Sequence, residues 1–276
     1  HIYVCGYFLY YKYLYMKIAF DIISDLHLDE WSDFNWELQA TSPFCIIAGD
    51  TARDRKVLRQ GLKHISSQYT HVFVIDGNEE HRYTYNNLTQ SYIDLVEFMT
   101  TIPNVTYLHN NIVILEGIAI VATCGWYSFN SNPNFSVETT KKGVEEHYGF
   151  NRAVSDKIEE MAIDDARYLS NTVEKLQLHM DVKNIIIATH FIPYQSLLEH
   201  DEYLMSTWTM NASVNDYAPT CLQGDTEKKV SHWIYGHYHG PTSEKTIGHT
   251  KFITNPSGRR SNQWHQNPYF PVRIEF

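Results

Sequence analysis

Five short apolar runs in this chain each end on residues that can ligate a metal ion, and that repetition constrains the fold more than any single motif. Lys17 to Ser24 leads into Asp25-Leu26-His27, Phe44 to Ala48 into Gly49-Asp50, and His71 to Ile75 into Asp76-Gly77-Asn78-Glu79-Glu80-His81. Further on, Asn184 to Ala188 leads into Thr189-His190, and Trp233 to Tyr235 into Gly236-His237-Tyr238-His239. Runs of this length and apolarity read as buried strands. Residues two apart on an extended segment face the same side, so Asp25 with His27, and His237 with His239, can address one centre. A glycine before Asp50 lets the backbone turn sharply and present that carboxylate from the strand end. Open α/β sheets keep their sites at such strand ends. Each piece alone is ordinary turn chemistry, but their recurrence after strand upon strand points to a metal site.

Helical spacing fills the intervals between strands. Arg53 to Ser66 carries Val57, Leu58, Leu62 and Ile65 on one face, and a second helix runs over Leu88, Tyr92, Leu95, Val96 and Met99. A long helix from about Ala153 to Leu178 shows a core stripe of Val154, Ile158, Ala162, Ala166, Leu169, Val173 and Leu176. Val105 to Leu108, Ile112 to Leu115 and Ile118 to Ala122 are expected as three strands at the edge of a second sheet. Lys251 to Thr254 and Pro271 to Phe276 read as closing strands. Cys124 to about Phe150 reads as irregular and aromatic, with a lid or cap expected over about 124–180, and Tyr194 to Thr226 reads as an irregular second wall of a pocket. Residues 1–15 are tyrosine-rich, too short to span a bilayer, and lack the features of a signal peptide. They are expected to be an appendage outside the fold, with Met16 as the natural start; the alternative is an interfacial or partner-binding tail. Residues 16–276 are then one domain.

Composition narrows the function. A net charge of −10 weighs against broad binding to nucleic acid or an anionic membrane, which needs a basic face. Four scattered cysteines suit a reducing compartment, and a cytoplasmic location is expected.

Taken in order, Asp25-x-His27, Gly49-Asp50, Gly77-Asn78, His190 and Gly236-His237-x-His239 resemble the calcineurin-like metallophosphoesterase superfamily, over Met16 to the C-terminus. Ser24-Asp25-Leu26-His27-Leu28 and Asn255-Pro256 are similar to its bacterial and phage-encoded branch. The resemblance implies a four-layer αββα sandwich of two mixed β-sheets flanked by helices. It implies one metal held by Asp25, His27, Asp50 and His239, and a second by Asp50, Asn78, His190 and His237, with Asp50 bridging. Mixed nitrogen and oxygen donors suit Mn²⁺ first, with iron, Zn²⁺ or Ni²⁺ as alternatives. The implied reaction is hydrolysis of a phosphate ester by metal-activated water, on a nucleotide or another small phosphorylated molecule. The alternatives are a nuclease of the same superfamily and a catalytically impaired metal-binding scaffold.

One position departs from the family pattern. Where the motif has Gly-Asn-His, this chain has Gly77-Asn78-Glu79. A carboxylate there is expected to be a poor general acid and to oppose an anionic substrate, with His81 as the candidate stand-in. The catalytic candidates are therefore Asp50, Glu79 and His81, and replacing Glu79 by histidine is expected to raise turnover. Arg82, Arg259 and Arg260 can match a phosphate, although surface solvation is the plainer reading. The other histidines read as surface or structural.

Overall fold

The computed structural model describes residues 2–4, 7–9, 17–31, 39–82, 87–149, 151–198, 207–261 and 268–276. The expected start at Met16, the thiol of Cys5, and His200 and His265 lie outside the described residues.

Two hairpin strands open the chain, β1 (Ile2–Val4) and β2 (Tyr7–Leu9), followed by β3 (Ala19–Ile23), β4 (Phe44–Ala48), α1 (Arg55–Ser66) and β5 (His71–Ile75). Next come α2 (Leu88–Met99), β6 (Val105–Tyr107), β7 (Asn111–Leu115), β8 (Ile118–Ala122), α3 (Val137–Tyr148) and α4 (Arg152–Gln177). The remainder is β9 (Asn184–Ala188), α5 (Ala218–Gln223), β10 (Val230–Tyr235), β11 (Ser243–Ile247), β12 (Thr250–Thr254) and β13 (Val272–Glu275). The strands form an eight-stranded sheet in the order β11-β12-β10-β9-β8-β7-β1-β2 and a five-stranded sheet in the order β13-β3-β4-β5-β6. Both are mixed: β3, β4, β5 and β6 run parallel with β13 antiparallel, and β8, β9, β10 and β12 run parallel with antiparallel strands on either side.

Strand alternation explains the layering. In β4 the side chains of Phe44, Ile46 and Ala48 enter the core between the sheets, where they meet Ile120, Ile186, Ile234 and Ile253 of the larger sheet. The intervening Cys45 and Ile47 turn outward onto Leu58, Leu62 and Ile65 of α1 and Leu95 and Met99 of α2. On the far side, Val121, Ile185, Ile187 and Trp233 pack against Leu169, Val173 and Leu176 of α4 and Cys221 of α5. Helices, sheet, sheet and helices are therefore four layers, an α/β sandwich of the metallo-dependent phosphatase type. Cys45, Cys124 and Cys221 are buried free thiols. Among the described residues no helix is long and apolar enough to cross a membrane.

Several expectations change in detail. Val105–Tyr107 pairs in parallel with β5 and closes the smaller sheet, so only β7 and β8 of that trio belong to the larger one. The supposedly irregular stretch after Cys124 contains α3, capped by Ser136, whose side chain accepts from the Thr139 amide, and ended by Gly149 at φ 72°. Its only buried residues are Thr140, Lys141 and Val144, too thin a stripe to read as periodic. Residues 2–4, inside the segment read as an appendage, pair antiparallel with β7 along the sheet.

Candidate metal centre

Parallel strands deliver all five motif loops to one end of the sandwich. Asp25 follows β3, Asp50 follows β4 and Asn78 follows β5, while His190 follows β9 and His237 and His239 follow β10. The loops of the two sheets are laced together. The His237 amide donates to Asp25 at 2.9 Å, the Glu79 amide to Asp50 at 2.9 Å, and the Gly236 amide to the His190 carbonyl at 2.9 Å. His190 Nδ1 lies 2.9 Å from the Ala48 carbonyl, which can only accept, so Nδ1 carries the proton and Nε2 turns its lone pair toward the cluster.

The donor atoms of Asp25, His27, Asp50 and His239 lie within 4.8 Å of one another, and so do those of Asp50, His190 and His237. Asn78 joins the second group, its Oδ1 3.3 Å from His190 Nε2. Within the first, His27 Nε2 faces His239 Nε2 at 2.9 Å, and His239 Nε2 is 3.4 Å from Asp25. Within the second, His190 Nε2 is 3.2 Å from His237 Nδ1 and 3.4 Å from Asp50. All seven residues proposed as ligands are thus together, with Asp50 common to both groups.

These groups fit divalent cations on their own chemistry. Burial and the neighbouring His239 hold His27 well below the usual imidazole range, and burial and His190 do the same for His237, so both rings are neutral, as ligands must be. Burial, then the charges of Glu79 and Asp25, push Asp50 well above the usual carboxylate range. Burial alone would raise Asp25 too, but His239, His190 and His27 hold it low. A cation between these carboxylates removes their repulsion. The backbone is strained toward the same purpose: Asp25, His27, Asp50 and His237 all sit at φ between 44° and 67°, a left-handed conformation that costs side-chain-bearing residues ~1–2 kcal/mol each. Two glycines make room. A Cβ on Gly77 would lie 2.8 Å from His190 Cε1 and still closer to Asp50, and one on Gly236 would lie 2.7 Å from Asp25.

Glu80 and His81 belong to the scaffold. Glu80 accepts backbone amides from Gly77, Asp50 and Thr51 at 2.8, 3.1 and 2.7 Å, which pins the Asp50 loop to the Gly77 loop. Burial and the Asp50 charge push it up to about 8, against the downward pull of those amides. His81, the candidate stand-in acid, is a correction. It is fully buried, with Nδ1 2.8 Å from Ser91 and Nε2 3.0 Å from Asp76, and does not reach the cleft. Asp76 also accepts from Tyr92 and Tyr107, so this loop's first acid faces inward as well.

Glu79 has an environment that its neighbours in sequence do not announce. Its side chain is 1% exposed, and three guanidiniums meet it: Arg53 Nε at 2.9 Å, Arg82 Nη1 at 2.8 Å and Arg259 Nη2 at 2.7 Å. Arg259 also reaches Glu30 at 2.6 Å, and Arg53 lies 3.7 Å from it. The repulsion expected between Glu79 and an anionic substrate is therefore opposed by three guanidiniums in direct contact with its carboxylate. Arg260 lies instead over the Trp31 ring at 4.9 Å. The cleft above, about 510 Å³, is lined by Asp50, Asn78, His237 and His239 of the donor groups, by the three arginines with Glu30 and Glu79, and by His147 and Tyr148 from the end of α3. Burial first, then the charges of Glu79 and Asp50, raise Tyr148 and keep it a neutral phenol.

No family model matches the chain, and no curated protein matches it. Among solved structures it is similar to the phosphopantetheinyl hydrolase of Mycobacterium tuberculosis, with a TM-score of 0.66 at 17% identity, over 93% of this chain and 96% of that one. A second, more distant likeness is to GAP50, the anchor in the inner membrane complex of Plasmodium, with a TM-score of 0.47 at 13% identity, over 91% of this chain and 75% of that one. The first likeness shows a shared fold; the second is too slight to bear on anything further.

Proposed function

We propose that the chain is a metal-dependent phosphoesterase that hydrolyses a small phosphorylated molecule, such as a nucleotide, with two divalent cations, manganese first among the candidates. The observation that carries this reading is the pair of Asp/His groups sharing Asp50 beneath a cleft rimmed by arginines. Asp25, His27, Asp50 and His239 would hold one cation, and Asp50, Asn78, His190 and His237 the other. When bound, such cations supply Lewis-acid polarisation of phosphoryl oxygens and lower the pKa of water. The chain's own residues do the rest. The Ala48 carbonyl fixes the His190 tautomer, and the arginines supply planar donors suited to phosphate. The P–O bond to the leaving group breaks as one to the oxygen of water forms. The fold shared with a hydrolase supports the same class of reaction.

The test is Mn²⁺-dependent hydrolysis of nitrophenyl phosphate and of the matching diester, beside an Asp50→Asn variant. The expected outcome is turnover that falls ~100-fold or more in the variant, because both cation groups lose their shared carboxylate. Absence of turnover on either ester, in protein shown to hold metal, would convert the reading to a metal-binding scaffold.

A further inference from the structure

We propose that Arg53, Arg82 and Arg259, held by Glu79, form a subsite for a second phosphate, so that the substrate carries two linked phosphates, as in a nucleoside diphosphate. The identity of the phosphate that is cleaved rests on the phosphoesterase reading above, whereas the binding of an anion here does not.

The three arginines come from separate places in the chain, the loop after β4, the turn after β5 and the loop after β12, yet converge on one carboxylate. That carboxylate is 1% exposed while the arginine side chains are 24%, 36% and 27% exposed, so Glu79 lies beneath and the guanidiniums face the cleft. A guanidinium has five N–H donors; among the described residues Arg82 gives one to Glu79 and Arg259 gives one each to Glu79 and Glu30, while Arg53 meets both carboxylates as an ion pair without a hydrogen bond from its Nε. Within this network three cations meet two carboxylates, Glu30 and Glu79, and the third carboxylate on the cavity wall, Asp50, belongs to the donor groups. The Asp/His groups, once filled, have their own positive charge for the scissile phosphate, which leaves the arginine excess for another anion. A cleft of about 510 Å³ falls within the range of small-molecule sites, ~300–1,000 Å³, and holds more than a single phosphate. Glu79 is then a positioning residue: Oε1 accepts from Arg82 and Arg259 while Oε2 faces Arg53 Nε as an ion pair, which gathers three guanidiniums that would otherwise repel one another.

The experiment has a metal-free arm and a catalytic arm. In chelator-treated protein, calorimetric titration should show inorganic pyrophosphate binding at least ~10-fold tighter than inorganic phosphate, and Arg82→Gln should remove that preference. Arg82 is the most exposed of the three and the least able to disturb folding, and Arg82→Lys should restore only part of the affinity because it keeps the charge without the fork. With Mn²⁺, Arg82→Gln and Glu79→Gln should raise KM for a nucleoside diphosphate at least ~10-fold more than KM for nitrophenyl phosphate, with kcat less affected. Equal affinity of the metal-free protein for phosphate and pyrophosphate would overturn the proposal. So would equal losses on both substrates, which would put the arginines on the scissile phosphate. Pyrophosphate binding without hydrolysis of any ester would instead remove the phosphoesterase reading and keep the anion subsite.

Discussion

Gly77→Ala isolates the fit between the glycine loops and the donor groups. Gly77 does not sit at positive φ, so alanine can adopt its backbone conformation and the perturbation is steric alone. The new methyl would lie 2.8 Å from His190 Cε1 and 2.8 Å from the Asp50 amide, where ordinary contact begins at 3.4 Å. Those two atoms would have to move by about 0.6 Å and the Asp50 carboxylate oxygen Oδ1, which lies nearer still, by more, while metal–ligand distances tolerate ~0.2 Å. Overpacking of this kind costs ~1–3 kcal/mol, and the groups able to yield are the ligands themselves. Mn²⁺ affinity, measured by titration calorimetry with metal content checked by mass spectrometry, is expected to fall ~10–100-fold. The metal-free protein should melt only a few degrees lower, at roughly 2–4 °C per kcal/mol. Unchanged Mn²⁺ affinity in a folded variant would refute the claim that Gly77 is required by the closeness of Asp50 and His190.

Two other measurements address the scaffold. Ile46→Ala, at a fully buried position in the core between the sheets, should lower unfolding stability by ~2–5 kcal/mol in urea titration; a loss under ~1 kcal/mol would mean that the inter-sheet packing is misplaced. Burial pushes His232 down to about 4, so between about pH 6.5 and pH 4 the unfolded chain binds the extra proton and stability falls as pH drops. Melting temperatures of the metal-free protein at pH 7 and pH 4.5 should therefore differ less in His232→Gln than in the parent, and an identical difference would exclude His232 as a contributor.

The site loops were legible because each donor follows an unmistakable apolar strand, and strands ending in parallel share an edge. Two kinds of feature were not. Elements with one-sided or polar faces carry little signal: α3 buries Val144 as its one apolar side chain beside Thr140 and Lys141, and β11 is a Ser-Glu-Lys-Thr-Ile edge strand with no apolar alternation. Side chains whose role depends on direction also escaped. Glu79, Glu80 and His81 are adjacent and chemically alike as ligands, yet one meets arginines, one gathers backbone amides and one turns into the core. Arg53 carried no signal, since it precedes a helix start where any residue fits. Its place is set by Asp29, which accepts the amides of Arg53 and Asp54 at 2.7 and 2.9 Å across the loop. Tertiary geometry decides such directions, and no spacing rule encodes them.

The donor set is divided between the two sheets: Asp25, His27, Asp50 and Asn78 hang from the smaller, His190, His237 and His239 from the larger. Any cation shared by them is a rivet through the seam of the sandwich. Such a rivet would not seat until the seam had closed, so metal would be captured late in folding, after the Ile-rich interface docks. Once seated it would resist prying apart, by ~2.7 kcal/mol at a free concentration one hundred times Kd. A chelator would then do more than silence chemistry: it would loosen the two halves of the molecule from each other.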